Sequence, residues 1–192
     1  MSGVKAALVI CSILTIFNVG AELDCPEIIT KEEWGGMPAK AVYYQTIPVR
    51  YVVIHHTATR KCNSQSNCSS KVASIQRRHM NDKEWHDIGY NFLIGGDGNI
   101  YEGIGWNKRG AHTSGFNDKS IGIAFIGNFN EEAPKKKSLN AAKALLSCGV
   151  SNGYLSESYR LIGARQVRKT SSPGSMLYDE IQEWDNWVPK II

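Results

Sequence analysis

The sequence predicts an α/β fold: a mixed central β-sheet of about five or more strands with about three packed helices. Three observations carry this expectation. Short β-branched runs alternate with segments of helical periodicity. One run is apolar almost without interruption, as a strand covered on both faces should be. A glycine-rich turn joins two of the runs directly, which places an antiparallel hairpin inside the sheet.

The elements follow in order. Residues 22–48 read as an extended segment with turns at Gly35-Gly36 and Pro38. Val49–His56 (VRYVVIHH) is the strong central strand. Ser69-Ser70 caps a predicted helix running to Met80, with Val72, Ile75 and His79 on one face. Tyr90–Ile94 and Ile100–Ile104 are strands joined by the turn Gly95–Asn99, and Ser120–Gly127 is a further apolar strand. Ser138 opens a helix through Cys148 whose buried stripe is Ala142, Leu145, Leu146 and Val150. Tyr159–Gly163 is the last strand. Pro173-Gly174 begins a final helix with Met176, Leu177, Ile181 and Trp184 facing inward.

Composition narrows the setting. Lys5, the apolar run Ala6–Val19 and the small residues Val19-Gly20-Ala21 have the pattern of a secretory leader over residues 1–21. That run is shorter than the roughly 20 residues a spanning helix needs, so no membrane span is expected. Residues 22–192 have the length of one well-cored domain, expected to be extracellular. The leader holds one of the 22 Lys and Arg and none of the 18 Asp and Glu, leaving a net charge of +3. That is too mild for a nucleic-acid binder and compatible with an anionic wall surface. Lys135-Lys136-Lys137 lies beside Glu131 and Glu132 and reads as a solvated helix start.

Outside the leader, Cys25, Cys62, Cys68 and Cys148 remain, an even set that reads as two disulfides in an oxidising compartment. Three pairings are possible. A local bridge between Cys62 and Cys68 across a short polar loop leaves Cys25 for Cys148. A paired-CxxC zinc knot lacks the spacing. Asn67-Cys68-Ser69 is a formal glycosylation sequon at Asn67, its middle residue inside the local bridge.

The residues suited to chemistry are histidines and aromatics. His55 and His56 end the central strand, where neighbours point to opposite faces and need not share a role. His79 lies on the first helix and His112 in the loop Gly110–Thr113. With Tyr90, Trp85 and Trp106 they form a polar-aromatic set suited to a sugar-peptide ligand. There is no HExxH metal motif and no GxSxG elbow, and every cysteine outside the leader has a disulfide partner.

Longer stretches carry a resemblance. YVVIHHTAT (Tyr51–Thr59), DIGYNFLIGGDGNIYEGIGWNKRGAHT (Asp87–Thr113), SIGIAFIGNF (Ser120–Phe129), GARQVRKTSSPG (Gly163–Gly174) and LYDEIQEW (Leu177–Trp184) resemble the peptidoglycan recognition proteins, in their short secreted insect-type form. The resemblance covers essentially all of residues 22–192. It implies the fold of the bacteriophage-type zinc amidases, which cleave between N-acetylmuramic acid and L-alanine.

Catalytic members hold zinc with two histidines and a cysteine, assisted by a tyrosine. The first histidine matches His55 and the tyrosine matches Tyr90. The second histidine position is Ala164 and the cysteine position is Ser172. Alanine has no donor atom and a serine hydroxyl is not deprotonated near neutral pH, so no zinc cofactor and no zinc-amidase activity are expected. By the same resemblance His56, Thr57, His79, Lys83, Tyr90, His112 and Asn117 line a muropeptide groove. The positions that distinguish diaminopimelate-type from lysine-type stems are Glu84-Trp85 and Ile104. An isoleucine cannot pair with the extra carboxylate of diaminopimelate, which favours lysine-type peptidoglycan.

The expected role is a non-catalytic immune receptor. Its partners would be bacterial peptidoglycan, other extracellular recognition proteins and a serine protease cascade of the Toll type. The alternatives are a peptidoglycan hydrolase and a directly bactericidal wall binder.

Overall fold

The computed structural model describes residues 25–191, so the expected leader lies outside the described residues. The described residues form six strands and three α-helices. In chain order these are β1 (Ile28–Ile29), β2 (Val49–His56), α1 (Gln65–Asn81), β3 (Phe92–Ile94), β4 (Ile100–Glu102), β5 (Ser120–Phe125), α2 (Lys136–Ser151), β6 (Leu155–Gly163) and α3 (Ser175–Ile181). They build one sheet in the order β1-β4-β3-β5-β2-β6. Only β3 and β4 run antiparallel, across the turn expected at Gly95–Asn99. All other pairs are parallel.

The mixed sheet and its helices are therefore as the sequence predicts, and β2 spans the expected residues. The sixth strand is β1, drawn from the segment read only as extended; it pairs with β4. Trp34, in the turn that follows, is buried and donates its indole N–H to the Glu102 carbonyl (2.7 Å), pinning this segment to the sheet edge.

Several boundaries differ from expectation. α1 starts at Gln65, not after Ser69-Ser70. Its cap is Ser64, whose hydroxyl accepts from the Asn67 N–H (3.4 Å). The first helical turn therefore lies inside the Cys62–Cys68 disulfide loop, where polar residues leave no apolar period to read. β3 starts at Phe92, and just before it the Asn91 side chain, rather than a main-chain carbonyl, accepts the Gly122 N–H (2.9 Å). β6 begins at Leu155, since its exposed Ser156-Glu157-Ser158 stretch masks a strand. Pro173 precedes α3 rather than opening it, and Met176 is 39% exposed instead of facing inward. Trp184 is buried but lies beyond the end of α3.

The sheet separates two apolar layers. Val52 and Ile54 face α2 and α3, with Phe125, Leu145, Leu177 and Ile181. The other face of the sheet carries α1, with Leu93, Ala124, Val72 and Ile75. Because side chains alternate along a strand, Val53 and His55 lie on the α1 side of β2. A second disulfide, Cys25–Cys148, fastens the N-terminal segment to α2 across 123 residues of sequence. Both pairings match the expected one. No helix among the described residues is long and apolar enough to cross a membrane.

Candidate functional site

The C-terminal end of β2 carries the site, as is usual for ligand clefts at the carboxyl ends of parallel strands. His55 is 6% exposed and its ring contacts two others, Tyr90 and His112, each at 5.4 Å between centroids. Tyr90 continues to His79 on α1 (5.6 Å), and His79 to Trp85 (4.7 Å). Five rings thus form one unbroken row, His112–His55–Tyr90–His79–Trp85. Four of the five residues were expected in the groove, and the fifth is the zinc-position remnant His55.

Glycines let this row close up. A Cβ on Gly122 would fall 2.4 Å from the His112 ring, and one on Gly89 2.6 Å from the Trp85 ring. His112 is therefore wedged directly on the β5 backbone, and Trp85 lies flush on the chain leading into β3.

Backbone amides fix what two of the histidines offer. The Gly89 N–H donates to His79 Nδ1 (3.0 Å), and the Phe129 N–H to His56 Nδ1 (3.2 Å). Each neutral ring must then carry its proton on Nε2. Neutral they are: burial, then the Lys83 and Arg78 charges, lowers His79 to about 4. Burial, then Arg165, lowers His56 to about 4. Burial lowers His112 to about 3 and holds His55 well below the usual histidine range, with His112 and His56 adding to the effect on His55. Burial pushes the Tyr90 phenol up to about 12. The groove thus presents neutral, directional hydrogen-bonding groups at physiological pH.

His56 is not part of the row. It lies on the opposite side of β2 against Phe129 (6.5 Å). Thr57 is engaged locally: its hydroxyl meets Thr59 Oγ1 (2.8 Å) and accepts from the Gly127 N–H (3.0 Å). Asn117 braces the His112 loop by accepting the Thr113 N–H (2.7 Å). Lys83 places its ammonium over the Trp85 ring (5.2 Å).

Past Trp85 the groove opens into a cavity of about 290 Å³. Glu84, Trp85 and Ile104, the three positions tied to specificity, all line it, together with Tyr43, Lys108 and Arg109. Glu84 has φ +56°, a left-handed conformation costly for any residue but glycine or asparagine. Sequence reasoning gave no role to Tyr43, or to Lys108 and Arg109, which lie inside the family stretch Asp87–Thr113. It also missed Asn91, which is fully buried. Its amide donates to the Gly105 and Lys108 carbonyls (2.8 and 3.1 Å) and its Oδ1 accepts the Gly122 N–H (2.9 Å). That one side chain ties the loop carrying Lys108 and Arg109 to β5.

Ala164 and Ser172 come to the same end of β2. Val53 pairs with Ile162 and Ile54 with Gly163, so the register carries Ala164 alongside His55. Ser172 is buried and its hydroxyl accepts the His56 main-chain N–H (3.0 Å). Ser172 also accepts the Arg165 N–H on its carbonyl (2.9 Å). At the two positions that would complete the ligand set, the side chains are thus a methyl group and a hydroxyl already engaged by the backbone. These residues do not fit a zinc ion, which needs three nitrogen, sulfur or carboxylate ligands. Among the described residues no group of three or more His, Cys, Asp or Glu is placed to hold a metal.

Residues 45–175 match the family described as N-acetylmuramoyl-L-alanine amidase. The chain belongs to that family, on the branch of the peptidoglycan-recognition proteins. Peptidoglycan-recognition protein 2 of Holotrichia diomphalia is 49% identical over 184 residues, 96% of each chain. The solved structure of bumblebee PGRP-SA is 54% identical with a TM-score of 0.86, covering 87% of this chain and all of that one. Peptidoglycan recognition protein-LE, solved with tracheal cytotoxin, a monomeric diaminopimelic acid-type peptidoglycan, is 43% identical with a TM-score of 0.83, covering 84% and 95%.

Proposed function

We propose that this protein is a secreted pattern-recognition receptor that binds bacterial peptidoglycan, without zinc-amidase activity, and triggers an antibacterial defence cascade. In this reading residues 22–192 are one recognition domain released from the leader 1–21. The observation that carries it is the pairing of two features at one strand end. The row His112–His55–Tyr90–His79–Trp85 is intact, while the two positions that complete a zinc site beside His55 are Ala164 and Ser172. Loss of metal removes the lowered-pKa water and the Lewis acid. The directional groove is untouched by that loss.

The stem peptide runs along the ring row, with its third residue in the cavity bounded by Glu84, Trp85 and Ile104. Ile104 gives no partner to the extra carboxylate of diaminopimelate, and Glu84 repels it, so lysine-type stems are preferred. One observation favours the opposite preference: Lys108 and Arg109 line the same cavity. Calorimetric titration with the two muropeptides decides. Tighter binding of the lysine form supports the assignment. Tighter binding of the diaminopimelate form assigns the cavity's chemistry to Lys108 and Arg109, and binding of neither removes the receptor reading.

A further inference from the structure

Thr113 is absent from every role assigned so far, yet it is 1% exposed at the centre of the site. Its hydroxyl oxygen lies 3.0 Å from His55 Nε2 and 3.0 Å from His112 Nδ1. A hydroxyl has one hydrogen to give, and a neutral imidazole has one N–H and one bare nitrogen. Two bare nitrogens facing Thr113 would leave one without a donor. Two N–H groups would leave the hydroxyl's own hydrogen without an acceptor among the rings. Only one arrangement satisfies all three groups: one ring donates to Oγ1, and Oγ1 donates to the other.

We propose that Thr113 is a positioning residue that couples the tautomers of His55 and His112 and thereby sets what His55 presents to the muropeptide. The coupling requires both rings to be the Nε2–H form or both the Nδ1–H form. In the first form the chain runs His55 Nε2–H to Thr113 Oγ1 and Thr113 O–H to His112 Nδ1, leaving His55 Nδ1 a bare acceptor; in the second both directions reverse and His55 Nδ1 carries the proton.

The shared tautomer sets the pattern of the groove. His79, fixed by the Gly89 amide, offers an Nε2–H donor on one side of Tyr90, and His55 Nδ1 lies on the other. The Nε2–H pair makes His55 an acceptor, so that acceptor and donor in succession match the N–H and C=O of an extended peptide; the Nδ1–H pair makes it a second donor, matched by a second carbonyl. The inference rests on the receptor reading for its ligand but not for its geometry.

The test reads ring tautomers by long-range 1H–15N correlation on the free protein near neutral pH. The expected result is one shared pattern for His55 and His112, both Nε2–H or both Nδ1–H, in the native chain and in Thr113→Ser. In Thr113→Val the coupling is lost, and muropeptide affinity falls about 3- to 10-fold, the range for one hydrogen bond. His55 and His112 found in different tautomers in the native chain would overturn the proposal. So would a Thr113→Val protein that keeps both the native ring pattern and the native affinity. If that variant does not fold, the native and Thr113→Ser spectra still decide. Matched tautomers in a protein that binds no muropeptide would sink the receptor reading and leave the coupling standing.

Discussion

Acidification is the perturbation whose effect follows most directly from the site. Burial holds His56 and His79 at about 4 and His112 at about 3, against about 6.5 in an unfolded chain. Above about pH 6.5 both states are neutral at these positions and the rings add no pH dependence. Below it the unfolded chain takes up protons that the native chain refuses, so stability falls as pH falls. The loss continues until the native rings themselves protonate, near 4 for His56 and His79. Each ring contributes about 1.4 kcal/mol per pH unit, hence about 2 kcal/mol between pH 6.5 and 5. Three such rings cost a few kcal/mol, a large share of the roughly 5–15 kcal/mol typical of a domain. Urea unfolding at about pH 7.5 and about pH 5 reads this as a midpoint drop of about 1–3 M. In His79→Asn, where Oδ1 can keep the Gly89 bond, the slope should flatten by about one ring's contribution. An unchanged or higher midpoint at the acidic pH would refute the reasoning.

Three other predictions follow from the same geometry. Replacing Cys25 and Cys148 by serine should cost about 5 kcal/mol by loop entropy, and replacing Cys62 and Cys68 about 2 kcal/mol, because the loops span 123 and 6 residues; denaturant midpoints of the two double variants rank them. Asn91→Ala strips three buried backbone groups of their partner and should cost about 2–4 kcal/mol, read by thermal or urea unfolding. The double variant Ala164→His with Ser172→Cys should take up one zinc ion per chain in equilibrium dialysis, where the native chain takes up none; failure would mean that these positions do not face His55 as the register implies.

The sequence made β2, the hairpin and the Cys62–Cys68 bridge legible because each is written locally: a β-branched run, a glycine turn, a short loop between two cysteines; Cys25–Cys148, 123 residues apart, was reached only as the pair that remained. The start of α1 was hidden because Gln65, Ser66 and Asn67 carry no apolar period and are held by Ser64 and the disulfide instead. The pole of β6 near Ser156–Ser158 was hidden because an exposed edge needs no apolar alternation. In the site, motif resemblance named four of the five rings as groove residues, but the meeting of His55 with Tyr90 and His112 depends on parallel pairing of β2 and β3 with β5, strands distant in sequence. The separation of His55 from His56 was readable from alternation along β2, but not that His56 would meet Phe129. Thr113, Asn91, Lys108 and Arg109 all lie in the family stretch Asp87–Thr113 but received no role, since nothing in a single sequence shows that a hydroxyl will bridge two rings or an amide will hold a loop.

The central claim is a recognition groove that binds the wall without cutting it. The direct measurement is co-sedimentation of the protein with insoluble peptidoglycan in the presence of zinc, with the supernatant assayed for free stem peptide. The account predicts that the protein pellets with the wall and releases no stem peptide above background. Release of stem peptide, or protein left wholly in the supernatant, would contradict it.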